Sequence, residues 1–141
     1  MRIAVIEDEA PIREGMSKIL KKINENYELV GKAENGKKGL ELIRQEKPDL
    51  VILDIRMPDM DGLTMLSIVR EEGIECKAIV LSAYSDFAYA QRAIELGIEN
   101  YLLKPIKIAE LKKALEQAEA NISKEQSKEQ LFSLEYIFLN A

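Results

Sequence analysis

The sequence predicts a doubly wound α/β fold with a single parallel sheet, and three observations carry that prediction. Short apolar runs of strand length alternate with amphipathic stretches of helical spacing. Several of these runs are apolar at nearly every position, as strands are when helices cover both faces of their sheet. One run, Leu50-Val51-Ile52-Leu53, leads directly into Asp54, which places a carboxylate at the sheet edge where open α/β folds bind ligands.

Ile3 to Ile6 form the first expected strand, closed by Glu7-Asp8-Glu9. Pro11 suits the first turn of a helix in which Ile12, Met16, Ile19, Leu20 and Ile23 recur at helical spacing. Leu29 to Ala33 make the second strand, and Asn35-Gly36 offer a cap to a helix carrying Leu40 and Ile43. Gly31 to Lys38 nearly spell a nucleotide-binding P-loop, but Lys38 replaces the metal-holding hydroxyl and Glu34 would face the phosphates. A strand, a turn and a helix start fit better. After the third strand, Leu50 to Leu53, a helix carries Leu63 and Leu66 and stops near Gly73. A calcium loop ending in this helix fails, because Met57 and Ile68 would fill its first and twelfth ligand positions. Ala78 to Leu81 make the fourth strand, Ser85-Asp86 cap a helix with Phe87, Ala90 and Ile94 on its apolar face, and Gly97 ends it. Tyr101 to Leu103 make the fifth strand.

Beyond Pro105 the pattern changes. From Ile106 to Ala141 there is no Pro or Gly, and Ile108, Leu111, Leu115, Ala118 and Ile122 follow an a/d spacing that continues to Phe132, Tyr136 and Leu139. Glu125 and Glu129 interrupt it within a polar segment from Ser123 to Gln130. The favoured expectation is a last domain helix, a solvated linker and a frayed end, ahead of one long helix reaching a partner. The expected domain is 1–120, with 121–141 a helical linker or tail toward an output domain outside this chain. The apolar ending, Leu134 to Leu139, fits such a continuation.

Composition narrows the chemistry. The 141 residues suit one domain, 47% are hydrophobic and 32% charged, and the net charge of -5 provides no basic field for a phosphate backbone. Cys76 is the only cysteine and histidine is absent, which excludes internal disulfides, Cys/His zinc sites and histidine-based triads. Metal, acid or base work falls to carboxylates, hydroxyls and lysine. The amino-terminal apolar run is too short for a signal segment, and no stretch reaches membrane length, so the expected location is cytoplasmic with no membrane partner.

If the strands are parallel, Glu7-Asp8, Asp54, Ser82 and Lys104 meet at their carboxyl ends. Crowded carboxylates repel unless a cation intervenes, and an oxygen-only set suits Mg²⁺. Lys104 supplies a point charge and Ser82 a hydroxyl for phosphoryl oxygens, so that Asp54 can attack phosphorus and form an acyl phosphate.

In these motifs the chain resembles a response-regulator receiver domain of two-component signalling, over roughly residues 2 to 120. The resemblance rests on Glu7-Asp8, on Asp54 with Met57-Pro58-Asp61-Gly62, on Leu81-Ser82-Ala83, and on Tyr101 before Lys104-Pro105. It implies a flavodoxin-like sheet of order 2-1-3-4-5 with helices on both faces. The implied function is a phosphorylation-dependent switch, not an enzyme, with Asp54 accepting a phosphoryl group from a sensor histidine kinase. Asp54, Asp8 and the main-chain carbonyl of Arg56 would ligate Mg²⁺, Glu7 would hold it through water, and Ser82 and Lys104 would bind the phosphoryl group. Ser82 and Tyr101 would form the switch, altering the face of helix 4, strand 5 and helix 5 through which a homodimer assembles. Arg56 and Tyr84 would tune the acyl-phosphate lifetime, and the Lys104-Pro105 bond would be cis. Helix 1, with Arg13, Met16 and Leu20, is the expected kinase-docking surface, though its apolar residues serve equally well as core. Ser82 to Phe87 and Tyr101 to Pro105 resemble receivers attached to AraC-type helix-turn-helix output domains, which implies transcriptional regulation with DNA bound only through that absent domain.

The rival reading is an Asp-nucleophile, Mg²⁺-dependent phosphohydrolase of the haloacid-dehalogenase type, built on Asp59-Met60-Asp61-Gly62-Leu63-Thr64. Its nucleophile should emerge from an apolar strand, whereas Arg56-Met57-Pro58 precede Asp59, and little chain remains for a substrate cap.

Overall fold

The computed structural model describes residues 1–140. They form β1 (Arg2–Ile6), α1 (Ala10–Ile23), β2 (Glu28–Ala33), α2 (Gly36–Glu46), β3 (Leu50–Asp54), α3 (Gly62–Glu71), β4 (Lys77–Ser82), α4 (Phe87–Glu95), β5 (Asn100–Leu103) and α5 (Ile108–Asn140). The five strands pair in parallel in the order β2-β1-β3-β4-β5, the flavodoxin-like order the resemblance implies.

The alternation of strand side chains builds two cores, one on each face. Ala4 and Ile6, Val51 and Leu53, and Ala78 and Val80 point into a core shared with Leu40, Ile43, Leu63, Leu66, Val69 and Ala93. Their neighbours Ile3, Val5, Leu50, Ile52, Ile79 and Leu81 point the other way, onto Met16 and Leu20 of α1 and Leu111, Leu115 and Ala118 of α5. Met16 and Leu20 are core, the alternative the sequence allowed for the apolar residues of this helix: their side chains cover the sheet.

The caps read from sequence are present. Asn35, Asp61 and Asp86 accept main-chain hydrogen bonds from Lys38, Thr64 and Ala88. Gly73 and Gly97 end α3 and α4 with φ of 72° and 70°, a region that disfavours a Cβ.

Two elements differ from expectation. In α4 the residue that packs inward is Ala93, while Phe87 and Ile94 of the expected core face are 78% and 73% exposed. Tyr89 packs partly against the same core, and the helix is turned so that Phe87 and Ile94 face outward. In α5 the expected break and frayed end are not seen, and the helix continues through Ser123–Gln130 to Asn140. Lys, Glu and Gln are good helix formers, and no Gly or Pro interrupts them. Lys77 also pairs with Glu125 and Glu99, while Asn121 donates to Glu99 at 2.7 Å, tying α5 to the edge of β4. Every residue from Ser123 to Asn140 is exposed. Among the described residues no helix is long and apolar enough to cross a membrane.

Candidate functional site

Parallel pairing lines up the strand ends that sequence reasoning singled out. Asp54 ends β3 opposite Leu81, and Ser82 ends β4 opposite Leu103, one residue before Lys104. Glu7 follows β1, whose neighbour in the sheet is β3. Three groups far apart in sequence thus meet at one edge.

Lys104 is the centre of the cluster. Its Nζ lies 2.7 Å from Glu7 Oε1, 3.0 Å from Glu9 Oε2 and 3.1 Å from Asp54 Oδ2. The Lys104-Pro105 peptide is cis, as the resemblance implies. Asp54 is buried and its Oδ1 also accepts from the Ile55 amide at 2.7 Å. Gly62 lets α3 begin directly against this strand end: a Cβ there would stand 2.0 Å from the Asp54 carbonyl oxygen. The Gly62 amide donates to Ile55 O at 2.7 Å, and Asp61 accepts from both the amide and the hydroxyl of Thr64. The Asp61-Gly62 signature thus caps α3 and fixes the loop after Asp54. Asp59, the nucleophile of the rival hydrolase reading, lies on that loop, exposed and with φ of 69°.

Burial dominates the electrostatics of Glu7. It pushes this carboxyl up to about 7, with Asp54 adding to the rise and Lys104 opposing it. Glu7 Oε1 is buried and accepts no hydrogen bond of regular geometry, its contact with Lys104 being an ion pair of poor angle. For Lys104, burial works against the charge, but bonds to Glu7, Glu9 and Asp54 outweigh it and raise its pKa above the ordinary lysine value.

Asp8 stands apart from this arrangement. Its side chain is exposed, and the carboxylates whose oxygens lie within 4.8 Å of one another are Glu7, Glu9 and Asp54. Arg13 gives the local reason: its Nη1 donates to the main-chain oxygens of Glu7 at 2.8 Å and Asp8 at 3.2 Å, which holds the loop with Asp8 outward and Glu9 against Lys104. Sequence reasoning missed Glu9. The only signal for it was its place in an unbroken acidic triplet. The cluster offers oxygen donors alone, with one buried oxygen lacking a well-formed bond, and this chemistry fits a hard divalent cation such as Mg²⁺.

Around the cluster, the hydroxyl and aromatic candidates form a second set of contacts. Ser82 is fully buried and its Oγ accepts from the Tyr84 amide at 3.0 Å. The Tyr101 hydroxyl donates to the Tyr84 carbonyl at 2.7 Å, so it is bonded to protein and not left to water. Arg56, whose main-chain carbonyl sits two residues past Asp54, lays its guanidinium 4.2 Å from the Tyr84 ring centre and donates from Nε to Tyr89 Oη at 3.1 Å. Tyr89 was not singled out in the sequence, where nothing distinguishes it from an ordinary helix residue.

Residues 3–116 match the response regulator receiver domain family, most of the chain's length. The chain belongs to the response regulator receiver domain family. The receiver is 35% identical over 115 residues to a probable C4-dicarboxylate response regulator, DctR, of Priestia megaterium, covering 82% of this chain and 50% of DctR. It is 34% identical over 126 residues to the transcriptional regulatory protein HptR of Staphylococcus aureus, covering 89% of this chain and 49% of HptR. Among solved structures, the receiver domain of AraT, a response regulator from Geobacillus stearothermophilus, superposes with a TM-score of 0.80 at 37% identity, over 89% of this chain and 97% of that one. The receiver spans about half the length of these curated relatives, or less. Its relatives are transcriptional response regulators, and a receiver is the phosphorylation-dependent switch of such a protein.

Proposed function

We propose that Asp54 is the phosphoacceptor, taking a phosphoryl group from the phosphohistidine of a sensor histidine kinase. The observation that carries this reading is the buried contact of Asp54 with Lys104 at the sheet edge, 3.1 Å apart. An Asp54 oxygen bonds to phosphorus as the bond to the donor nitrogen breaks, and the donor nitrogen keeps the electron pair. Glu7, Asp8, Asp54 and the main-chain carbonyl of Arg56 would hold Mg²⁺, with Glu9 at hand in the same cluster. When bound, Mg²⁺ supplies positive charge to the phosphoryl oxygens. Lys104 already sits beside the acceptor, and it would pair with one of those oxygens once the charge on Asp54 is spent in the acyl bond. Ser82 would turn its hydroxyl from the Tyr84 amide toward another.

The domain proper is residues 1–120, with 121–141 a helical connection to an output region of the AraC-type DNA-binding class. The receiver turns over its own acyl phosphate but acts on no other substrate. Tyr101 would follow Ser82 inward, changing the α4-β5-α5 face and favouring a homodimer. To reverse a 1:99 equilibrium takes about 5.5 kcal/mol of preference; the new charge-assisted bond from Ser82, at about 1.5 to 3 kcal/mol, supplies part of it, while Lys104 exchanges its pairing with Asp54 for one with the phosphoryl group.

The test is exposure of the protein to acetyl phosphate with Mg²⁺. The expected result is a mass increase of one phosphoryl group per chain, mapped to Asp54 and lost in Asp54→Asn. Phosphate released continuously without a stable adduct would favour the hydrolase reading, and an adduct on another residue would overturn the assignment.

A further inference from the structure

We propose that Tyr89 is a positioning residue for the hydrolysis of the phosphorylated state: its hydroxyl holds Arg56 against Tyr84, closing the space between the loops that flank Asp54 and slowing the approach of water. The proposal rests on Asp54 being the phosphoacceptor.

Two of the loops that border Asp54 follow β3, beyond Asp54 itself, and β4, beyond Ser82. Each loop contributes one large side chain two residues on, Arg56 and Tyr84, and the two are stacked with the guanidinium carbon 4.2 Å from the ring centre. They are held by different means. Before phosphorylation the Tyr84 backbone is held by Ser82 Oγ, which accepts from its amide at 3.0 Å, and by Tyr101 Oη, which donates to its carbonyl at 2.7 Å; once both turn inward, the Tyr84 ring keeps its contacts with Arg56 and Tyr89. Arg56 is an exposed side chain with several free torsions, which left alone would sample many conformers. The contacts that hold its guanidinium come from the two tyrosines. Nε donates to Tyr89 Oη at 3.1 Å, the guanidinium carbon lies 5.8 Å from the Tyr89 ring centre, and Tyr89 in turn meets Tyr84 edge to face at 6.5 Å.

Tyr89 belongs to α4, so the closure is tied to that helix. A shift of α4 that breaks the bond to Arg56 opens the site to water. Hydrolysis then proceeds with a water oxygen bonding to phosphorus, the bond from phosphorus to the Asp54 oxygen breaking, and its electron pair returning to the carboxylate. The water's protons leave with phosphate or pass to solvent.

The experiment follows loss of the phosphoryl group by intact mass after acetyl phosphate and Mg²⁺ are removed by desalting. It compares the parent, Tyr89→Phe, Arg56→Ala and the double variant. Tyr89→Phe keeps the ring and removes only the hydroxyl, and it is expected to shorten the lifetime about threefold, the scale of one ordinary hydrogen bond at an exposed position. In the Arg56→Ala background the same change is expected to have no further effect, a result that general loosening of α4 would not produce. A Tyr89→Phe lifetime equal to the parent's, or an effect equally large with and without Arg56, overturns the proposal. A parent that takes no phosphoryl group on Asp54 overturns the reading beneath it instead, and the missing mass increase tells the two failures apart.

Discussion

Glu7 shows how a single residue carries the tension of this site. Its carboxyl is buried beside Asp54, and in the metal-free protein burial raises its pKa from 4.5 to about 7. The folded chain therefore holds the Glu7 proton more tightly than the unfolded chain does. Its contribution to stability is fully present below pH 4.5 and is lost as the pH rises through about 7. Urea denaturation with a chelator present should show the parent losing stability between about pH 5 and about pH 7.5 relative to Glu7→Gln, which cannot ionise there. Identical pH profiles for the two proteins would mean that Glu7 titrates normally. The same residue was legible in sequence as one of three acids after an apolar strand. Which neighbour joins it was not: Glu9, and not Asp8, meets Lys104, because Arg13 clasps the main chain of this loop.

At the scale of elements, α5 divides into two parts with different physics. Leu111, Ala114, Leu115 and Ala118 are buried against the sheet, whereas Ser123 to Asn140 are exposed and touch the domain mainly through the Lys77–Glu125 pair. Glu125 in that pair is 59% exposed, and such surface contacts contribute at most about 1 kcal/mol. A chain ending at Ile122 should accordingly unfold in urea within about 1 kcal/mol of the parent. A larger loss would show that the extension supports the fold and that the domain boundary lies further along. Periodicity found the a/d stripe but could not decide whether helix persists across Ser123–Gln130, since a solvated polar segment rich in Lys, Glu and Gln is compatible with helix or linker. In α4 the same ambiguity went the other way. Phe87, Ala90 and Ile94 do share helical spacing, yet the sheet receives Ala93, and no pattern within one helix says which of its surfaces a neighbour will cover.

For the whole molecule, the question is how a charge placed at one sheet edge reaches a face outside it. Tyr101 is half-buried against the core on the α4 side of the sheet and is bonded to the loop that Ser82 controls. Phe87, Ile94, Leu103 and Ile108 leave large apolar side chains exposed on α4, β5 and α5, available to a face that assembles. Tyr101→Ala should leave phosphorylation of Asp54 intact while removing the increase in size expected of the phosphorylated parent. Equal association of the phosphorylated variant and parent, measured by sizing or sedimentation, would remove Tyr101 from the switch.

The sequence by itself determined the five strands, the burial of β1, β3 and β4 on both faces, and the alignment of Asp54, Ser82 and Lys104 at one edge. These follow from side-chain periods of two and 3.6 and from turn residues whose effects are local. Only the tertiary structure decided that Lys104 binds Glu9 along with Glu7 and Asp54, that α4 turns Phe87 and Ile94 outward, and that Tyr89 holds Arg56 over Tyr84. Each of those depends on how rigid elements settle against one another, and that is set by packing between segments distant in the chain.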